Sequence, residues 1–229
     1  ISIIEVTYDY RQTLYRHYTY ALRGTTKVNP NLSLGATWID DSDTASGAAD
    51  IFSSQISGTV EPQSHYVVGL DGAYLAGDLL SLNGELAYSE KKLNLLAADP
   101  ARSIGKAGKF GASSSLGPWG VRGAWKKVGA QFEPVAEASP RQDVLEYSGL
   151  LSFRPNELFL ASGAYDHNQY AQSGTEFKNI GRGAKARLTL ARWPSLEYLF
   201  DEREESNDYV TAAFFNRLTT RNSGELLHK

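Results

Sequence analysis

The stretch Leu70–Glu90, "LDGAYLAGDLLSLNGELAYSE", alternates apolar residues with polar or small ones on both sides of a short turn. Every second residue of the two predicted strands reads Leu70, Gly72, Tyr74 and then Leu80, Leu82, Gly84, Leu86, Tyr88. This period of two is typical of a β-strand with one apolar face, and Ala76-Gly77-Asp78 has the composition of a turn. The stretch therefore predicts an antiparallel hairpin. Its apolar face could cover the interior of a soluble domain or contact a lipid bilayer.

The same alternation continues along the chain, most clearly over Leu32–Trp38, Trp119–Trp125 and Leu145–Phe153. We predict an all-β chain of about twelve antiparallel strands, the first over Ser2–Tyr10 and the last over Tyr209–Leu218. The strands cover residues 2–218 of a single domain, 1–229, and residues 219–229 form a tail. The turn "ARWPS" predicts that Arg187 and Glu197 are neighbours on adjacent strands.

The predicted connections are of two kinds that alternate along the chain. Five are tight and rich in turn residues, at residues 29–31, 76–78, 117–118, 154–157 and 192–194. Between them we expect longer polar connections at residues 40–63, 91–104, 129–142 and 169–178, and a short one at 202–208. Transmembrane β-barrels have this asymmetry, with short turns on one side and longer loops on the other.

Composition excludes several classes of protein. The 229 residues carry a formal net charge of -3, which argues against a nucleic-acid partner because there is no basic excess to neutralise phosphates. No apolar run approaches the ~20 residues that a transmembrane helix needs. The chain has no cysteine, so a disulfide framework or a thiolate metal site is impossible.

With these hairpins in view, the chain resembles the transmembrane β-barrels of Gram-negative outer membranes, over residues 5 to about 218. Hairpins such as "NLSLGATWIDD" and "DLLSLNGELAYSE" are similar to those of porin-like barrels. The resemblance implies an up-and-down barrel in the bacterial outer membrane, with outer-membrane lipid and lipopolysaccharide as partners. Chains of this family commonly end in a strand with a terminal aromatic residue, whereas this one ends "NRLTTRNSGELLHK". We therefore expect that it forms part of a larger barrel or joins other subunits of a membrane assembly.

The resemblance assigns the two faces of the strands. Apolar residues face lipid, and we expect this of Leu70, Leu80, Leu82, Leu86, Trp119, Trp125, Leu188 and Tyr198. Polar residues of both signs line the lumen, and we expect this of Arg23, Lys27, Asp71, Glu85, Lys109, Arg122, Lys126, Glu146, Lys185, Arg187 and Glu197. The lumen is either a water-filled path that sorts solutes by charge or a space closed by its own ion pairs.

Motifs for covalent chemistry are missing. Outer-membrane lipases use a His-x-Ser element on one strand face, and the nearest arrangement here is His17 with Thr19. No nucleophile-elbow, zinc-protease or phosphate-loop pattern occurs, so we predict neither an enzyme nor a bound cofactor. Asp40, Asp41 and Asp43, with Asp50, are weak candidates for a calcium site, because the spacing of a calcium loop is absent and a solvated acidic loop explains them more simply.

Three functional hypotheses follow. The leading one is an outer-membrane barrel that forms a pore or translocation conduit with a polar lumen of mixed charge. A second is a barrel that anchors a surface or secretion assembly. A third is a soluble all-β binding domain, in which the aromatic residues near the strand ends belong to an ordinary core.

Overall fold

The computed structural model describes residues 16–44, 61–77, 79–134, 142–172, 175–189, 195–208 and 215–227. These residues form eleven antiparallel strands in one sheet. The strands are β1 (Arg16–Asn29), β2 (Leu32–Thr44), β3 (Ser64–Ala76), β4 (Leu80–Leu93), β5 (Ala101–Leu116), β6 (Trp119–Val128), β7 (Gln142–Phe153), β8 (Phe159–Gln172), β9 (Thr175–Leu188), β10 (Ser195–Asp208) and β11 (Phe215–Leu227).

The sheet has the up-and-down order that the alternation predicts. Each strand pairs with its neighbours in sequence, from β1 at one edge to β11 at the other. Within the described ranges β1 and β11 do not pair with each other, so the sheet is not closed. The all-β, antiparallel, up-and-down prediction is confirmed, and the closed barrel stays a prediction. The predicted strand at residues 2–10 lies outside the described residues.

The register of the opening hairpin fixes the two faces of the sheet. Leu70 is opposite Leu86 and Asp71 is opposite Glu85, so residues with like polarity share a face. We call the side that carries Leu70 and Leu86 the apolar face and the side that carries Asp71 and Glu85 the polar face. The pairing extends this division from β2 to β11, with one register shift in the β7–β8 pair between Gln142 and Leu145. On β9 and β10 the apolar face also carries a charged pair, Arg182 and Glu202, whose Nη1 and Oε1 atoms lie 2.6 Å apart.

Strand ends differ from the sequence prediction. Residues 40–44 belong to β2 and residues 202–208 to β10, where loops were expected, and only two residues separate β8 from β9. The prediction of a tail at residues 219–229 is also wrong, because β11 continues to Leu227. Side-chain alternation marks a strand only where its two faces differ in polarity, whereas backbone hydrogen bonds continue into stretches that are polar on both faces. The predicted turn at residues 192–194 lies outside the described residues.

A hydrophobic core is absent from the sheet as far as it is described. Its strands contact only their neighbours in sequence, so no second layer of strands covers either face. Val144 is the one buried hydrophobic residue among the described positions. The chain exposes 16613 Å², whereas a compact single domain of 25.1 kDa exposes roughly 10,000 Å². A soluble sandwich would bury its apolar face against a second sheet, and this sheet leaves that face open.

On β3, β6 and β7, aromatic side chains lie at the two ends of the apolar face, with aliphatic residues or glycine between them. Trp119 packs against Phe153 at the tight-turn end, with ring centroids 4.4 Å apart, and Tyr66 contacts Tyr88 at the opposite end, with centroids 6.0 Å apart. On β3 the stripe from Tyr66 to Tyr74 covers nine residues. At a tilt of about 45° such a stripe is roughly 20 Å tall, close to the apolar band of membrane barrels.

Among the described residues, no helix is long and apolar enough to cross a membrane.

Candidate functional site

The predicted site residues divide between the two faces of the sheet. All of those expected to face lipid lie on the apolar face: Leu70, Leu80, Leu82, Leu86, Trp119, Trp125, Leu188 and Tyr198. All of those expected to line a lumen lie on the polar face: Arg23, Lys27, Asp71, Glu85, Lys109, Arg122, Lys126, Glu146, Lys185, Arg187 and Glu197. What each face contacts stays a prediction.

A row of charged residues crosses the polar face from β3 to β7. In register these are Asp71, Glu85, Lys109, Lys126 and Glu146, each directly opposite the next on the neighbouring strand. Two of the contacts oppose like charges, Asp71 with Glu85 and Lys109 with Lys126. Directly opposed like charges destabilise a sheet, so each member needs a partner on its other side.

Ion pairs supply those partners. Lys109 Nζ lies 2.6 Å from Glu85 Oε2, and Lys126 Nζ lies 3.4 Å from Glu146 Oε2. At the end of the row, Arg23 of β1 reaches across β2 to Asp71, with Nη2 2.9 Å from Oδ1. We call this set of three pairs the charge belt. Half-exposed ion pairs contribute only about 0–1 kcal/mol to stability, so the belt chiefly sets the electrostatic potential of the polar face.

The Arg23–Asp71 pair depends on the strand between its members. Gly35 of β2 lies beneath the Asp71 carboxylate, and a Cβ at Gly35 would lie 2.6 Å from both of its oxygens. Arg23 also donates to Thr37 Oγ1 of β2 at 2.6 Å, which directs its guanidinium toward β3. The missing side chain at Gly35 thus provides the space that lets the pair span three strands.

A second group of charges lies on β9 and β10. Glu197 is opposite Arg187, as the turn "ARWPS" predicts. Its closer partner is Lys185, whose Nζ lies 2.9 Å from Oε1, whereas Arg187 Nε is 3.8 Å from Oε2. The sequence prediction missed the Lys185 contact because it considered only directly opposed residues, and long side chains also reach diagonal neighbours.

Two cations of the predicted lumen set are uncompensated. Arg122 and Lys27 are exposed on the polar face and form no ion pair with any residue in the described ranges. Arg122 is opposite Ser113 on one side and Leu150 on the other. Asp166 of β8, also on the polar face, lines the same cavity as Arg122, and neither side chain forms an ion pair with a described residue.

The chain segment after β6, Gly129–Pro134, folds back over the polar face. Glu133 binds Lys91 of β4, with Oε2 2.7 Å from Nζ, and the Glu133 N–H donates to Ser89 Oγ at 3.3 Å. The backbone of Gln131 and Phe132 lies directly over Gly105, where any Cβ would collide with it. Sequence reasoning predicted residues 129–142 only as a polar connection and missed the packing of Gly129–Pro134 on the polar face. Residues 45–60 lie outside the described part of the chain.

The substitution Gly105→Val is expected to displace the segment Gly129–Pro134 from the polar face. The new side chain would overlap the backbone of residues 131–132, and overpacking of this kind costs about 1–3 kcal/mol. Amide exchange at Gly129 and Phe132, whose N–H groups now donate at 2.9 and 3.0 Å, should accelerate about tenfold or more.

The matched control is Gly149→Val, because nothing lies within 4 Å of a Cβ built at Gly149. It should leave exchange at both amides unchanged. Equal exchange in the Gly105 variant and the unmodified chain would contradict the packing of this segment against Gly105.

The calcium candidates lie in a strand rather than a loop. Asp40 is on the apolar face of β2, whereas Asp41 and Asp43 are on the polar face. The three carboxylates therefore do not share one face of the strand, and nothing in this arrangement supports a joint calcium site. No group of three potential metal-ligating side chains occurs among the described residues. Asp50 lies outside them.

His17 is held by the same aspartates. Its Nδ1 lies 2.8 Å from Asp43 Oδ1 and its Nε2 2.7 Å from Asp41 Oδ1. Thr19, the candidate hydroxyl, donates to Asp41 Oδ1 at 2.5 Å. Both ring nitrogens thus face carboxylates, and the Thr19 hydroxyl is directed to Asp41.

Comparison with known proteins identifies no relative. No protein-family model matches the chain, and neither a curated protein nor a solved structure matches it. The charge belt, the uncompensated Arg122 and the open apolar face are therefore the features from which its function has to be argued.

Proposed function

We propose that the chain is an outer-membrane β-barrel, or a large part of one, that forms a pore or translocation conduit. Its apolar face would contact lipid, and its polar face would line an aqueous path that selects solutes by charge and size. The observation that carries the proposal is a broad sheet whose apolar face is not covered by any other described part of the chain, while the opposite face carries the charge belt.

The energetics of the sheet support a lipid environment. In water the exposed leucines would lose the stabilisation of about 25 cal/mol per Å² that burial provides, and Leu70 and Leu86 are 59% and 66% exposed. In lipid the same side chains are in an apolar solvent. Lipid also requires every backbone group of the sheet to be paired, so the proposal needs the free edges of β1 and β11 to be closed by a further strand or subunit.

The open edges also favour a second candidate, a barrel that anchors a surface or secretion assembly. Because β1 and β11 do not pair within the described residues, partner strands could complete the barrel. In that case the charge belt would close the lumen instead of lining a path. The soluble binding domain has the least support, because such a domain buries its apolar face and this one exposes it.

Reconstitution into planar lipid bilayers is the experiment that tests the proposal. The chain should refold in detergent, migrate differently on gels before and after heating, and give stable unitary conductance steps. Inserted, heat-modifiable protein without conductance would contradict the pore and leave the anchor. A chain that neither partitions into detergent nor shows heat-modifiable migration would contradict the barrel itself.

A further inference from the structure

A cavity of about 540 Å³ lies at the end of β5 and β6 away from the tight turns, and the side chains that line it come mainly from the apolar face. Strands β4, β5 and β6 form it, and the side chains of Leu86, Ile104 and Trp125 provide its apolar lining. Lys106 and Lys127 also line it, and Gly129–Gln131, the first part of the segment that then crosses the polar face, complete its wall. The cavity thus combines an apolar groove with two cations on the side of the sheet that the proposed function exposes to lipid.

The two lysines lack an acidic partner. Both are exposed, and neither forms an ion pair with any residue that the structure describes. By register the nearest acidic residues are Glu90, opposite Ile104, and Asp143, two residues before the Leu145 that is opposite Lys127. Glu90 already accepts from Tyr66 Oη at 2.7 Å and lies 3.5 Å from Lys92 Nζ.

Lys106 and Lys127 lie near the end of the apolar face that is away from the tight turns. Lys106 is opposite Tyr88, one of the aromatic residues that end the band, and Lys127 follows Trp125 by two positions. Arg102, which is also exposed on the apolar face, lies four residues before Lys106 on β5. Aromatic and basic residues in this order are suited to the level where lipid headgroups meet acyl chains.

We propose that this cavity binds an anionic lipid with a phosphorylated headgroup. An acyl chain lies along Leu86, Ile104 and Trp125, and the phosphate contacts the ammonium groups of Lys106 and Lys127. The proposal rests on the proposed function, since it requires the apolar face to be in a membrane. A free phosphate would contact only the two lysines. The apolar side chains of the same lining would in addition contact the hydrocarbon chain of a lipid.

Trp125 provides a direct probe, because bromine atoms on an acyl chain quench a tryptophan that they touch. The chain is reconstituted in phosphatidylcholine vesicles that contain either brominated phosphatidylglycerol or brominated phosphatidylcholine. The Trp125→Phe variant measures the contribution of the other tryptophans. We expect Trp125 to be quenched preferentially by brominated phosphatidylglycerol.

Substitution of the two lysines tests the headgroup contact. Each lysine near a lipid surface contributes a factor of about five, so Lys106→Gln with Lys127→Gln should lower the apparent association constant for phosphatidylglycerol roughly twenty-five-fold. Lys178→Gln is the matched control, because Lys178 is an exposed lysine near the same end of the apolar face on β9. It should leave the association constant unchanged.

Each outcome supports or overturns the proposal. Equal quenching by the two lipids, or no change in the double variant, would overturn it. Displacement of the lipid by inorganic phosphate alone would overturn the acyl-chain contact. Heat-modifiable migration is measured first on the same sample. Protein that fails this check contradicts the proposed function, whereas protein that passes it and shows no lipid preference contradicts only the lipid site.

Discussion

Replacing Leu70 by arginine is expected to destabilise the folded chain in lipid by about 2–4 kcal/mol, which is the cost of a cation at the midplane of a membrane barrel. Leu70 is at the centre of the β3 stripe, four residues from both Tyr66 and Tyr74, and its side chain is 59% exposed on the apolar face. In a bilayer an arginine at this position must be solvated within hydrocarbon, so the folded state loses stability. Equilibrium unfolding by denaturant in the presence of phosphatidylcholine vesicles measures the loss.

Leu70→Arg has a different expected effect on stability if the sheet is surrounded by water rather than by lipid. An exposed leucine replaced by arginine changes the stability of a soluble protein by no more than about 0.5 kcal/mol. Ala73→Arg is the matched control, since Ala73 is on the polar face of the same strand, between Ser33 and Asn83. If Leu70→Arg and Ala73→Arg cost the same, the apolar face is not the face that contacts lipid.

The division of residues between the two faces could be predicted from the sequence, because it follows from one local rule. Successive side chains of a strand point to opposite sides, so Leu70 and Asp71 are separated wherever the strand is placed. Paired strands then continue the division across the sheet. This is why residues as distant as Arg23 and Glu197 were assigned to one face correctly without knowledge of the register.

Two kinds of contact could not be predicted from this rule. One depends on how far a long side chain extends, and the other joins segments that are distant in sequence. The Arg23–Asp71 pair spans β2 because Gly35 lacks a side chain, and the Lys185–Glu197 pair is diagonal. Likewise, the segment Gly129–Pro134 lies over Gly105, more than twenty residues earlier. The sequence does contain a hint at this last contact, since Gly105 opens a stretch with poor alternation, but the hint does not say which segment covers it.

Replacing Arg122 by glutamate is expected to shift the selectivity of the proposed pore toward cations. Arg122 is exposed on the polar face and has no acidic partner among the described residues, so its charge acts on any ion that passes. A unit charge about 4 Å from an ion in water contributes about 1 kcal/mol, and the reversal changes the local charge by two units. The ratio of cation to anion permeability should therefore rise about fivefold or more, measured as a shift of the reversal potential in a salt gradient.

Lys126→Gln extends the same test to the charge belt. Lys126 now balances Glu146 at 3.4 Å, so its neutralisation should leave that carboxylate uncompensated and also favour cations, by about half the free energy of the Arg122 reversal. Lys178→Glu makes the same charge change as the Arg122 variant on the opposite face and should leave the reversal potential unchanged. Both shifts should shrink near 1 M salt, where charges are screened beyond about 3 Å. Normal unitary steps with an unaltered reversal potential in the Arg122 and Lys126 variants would mean that the polar face does not line the conducting path.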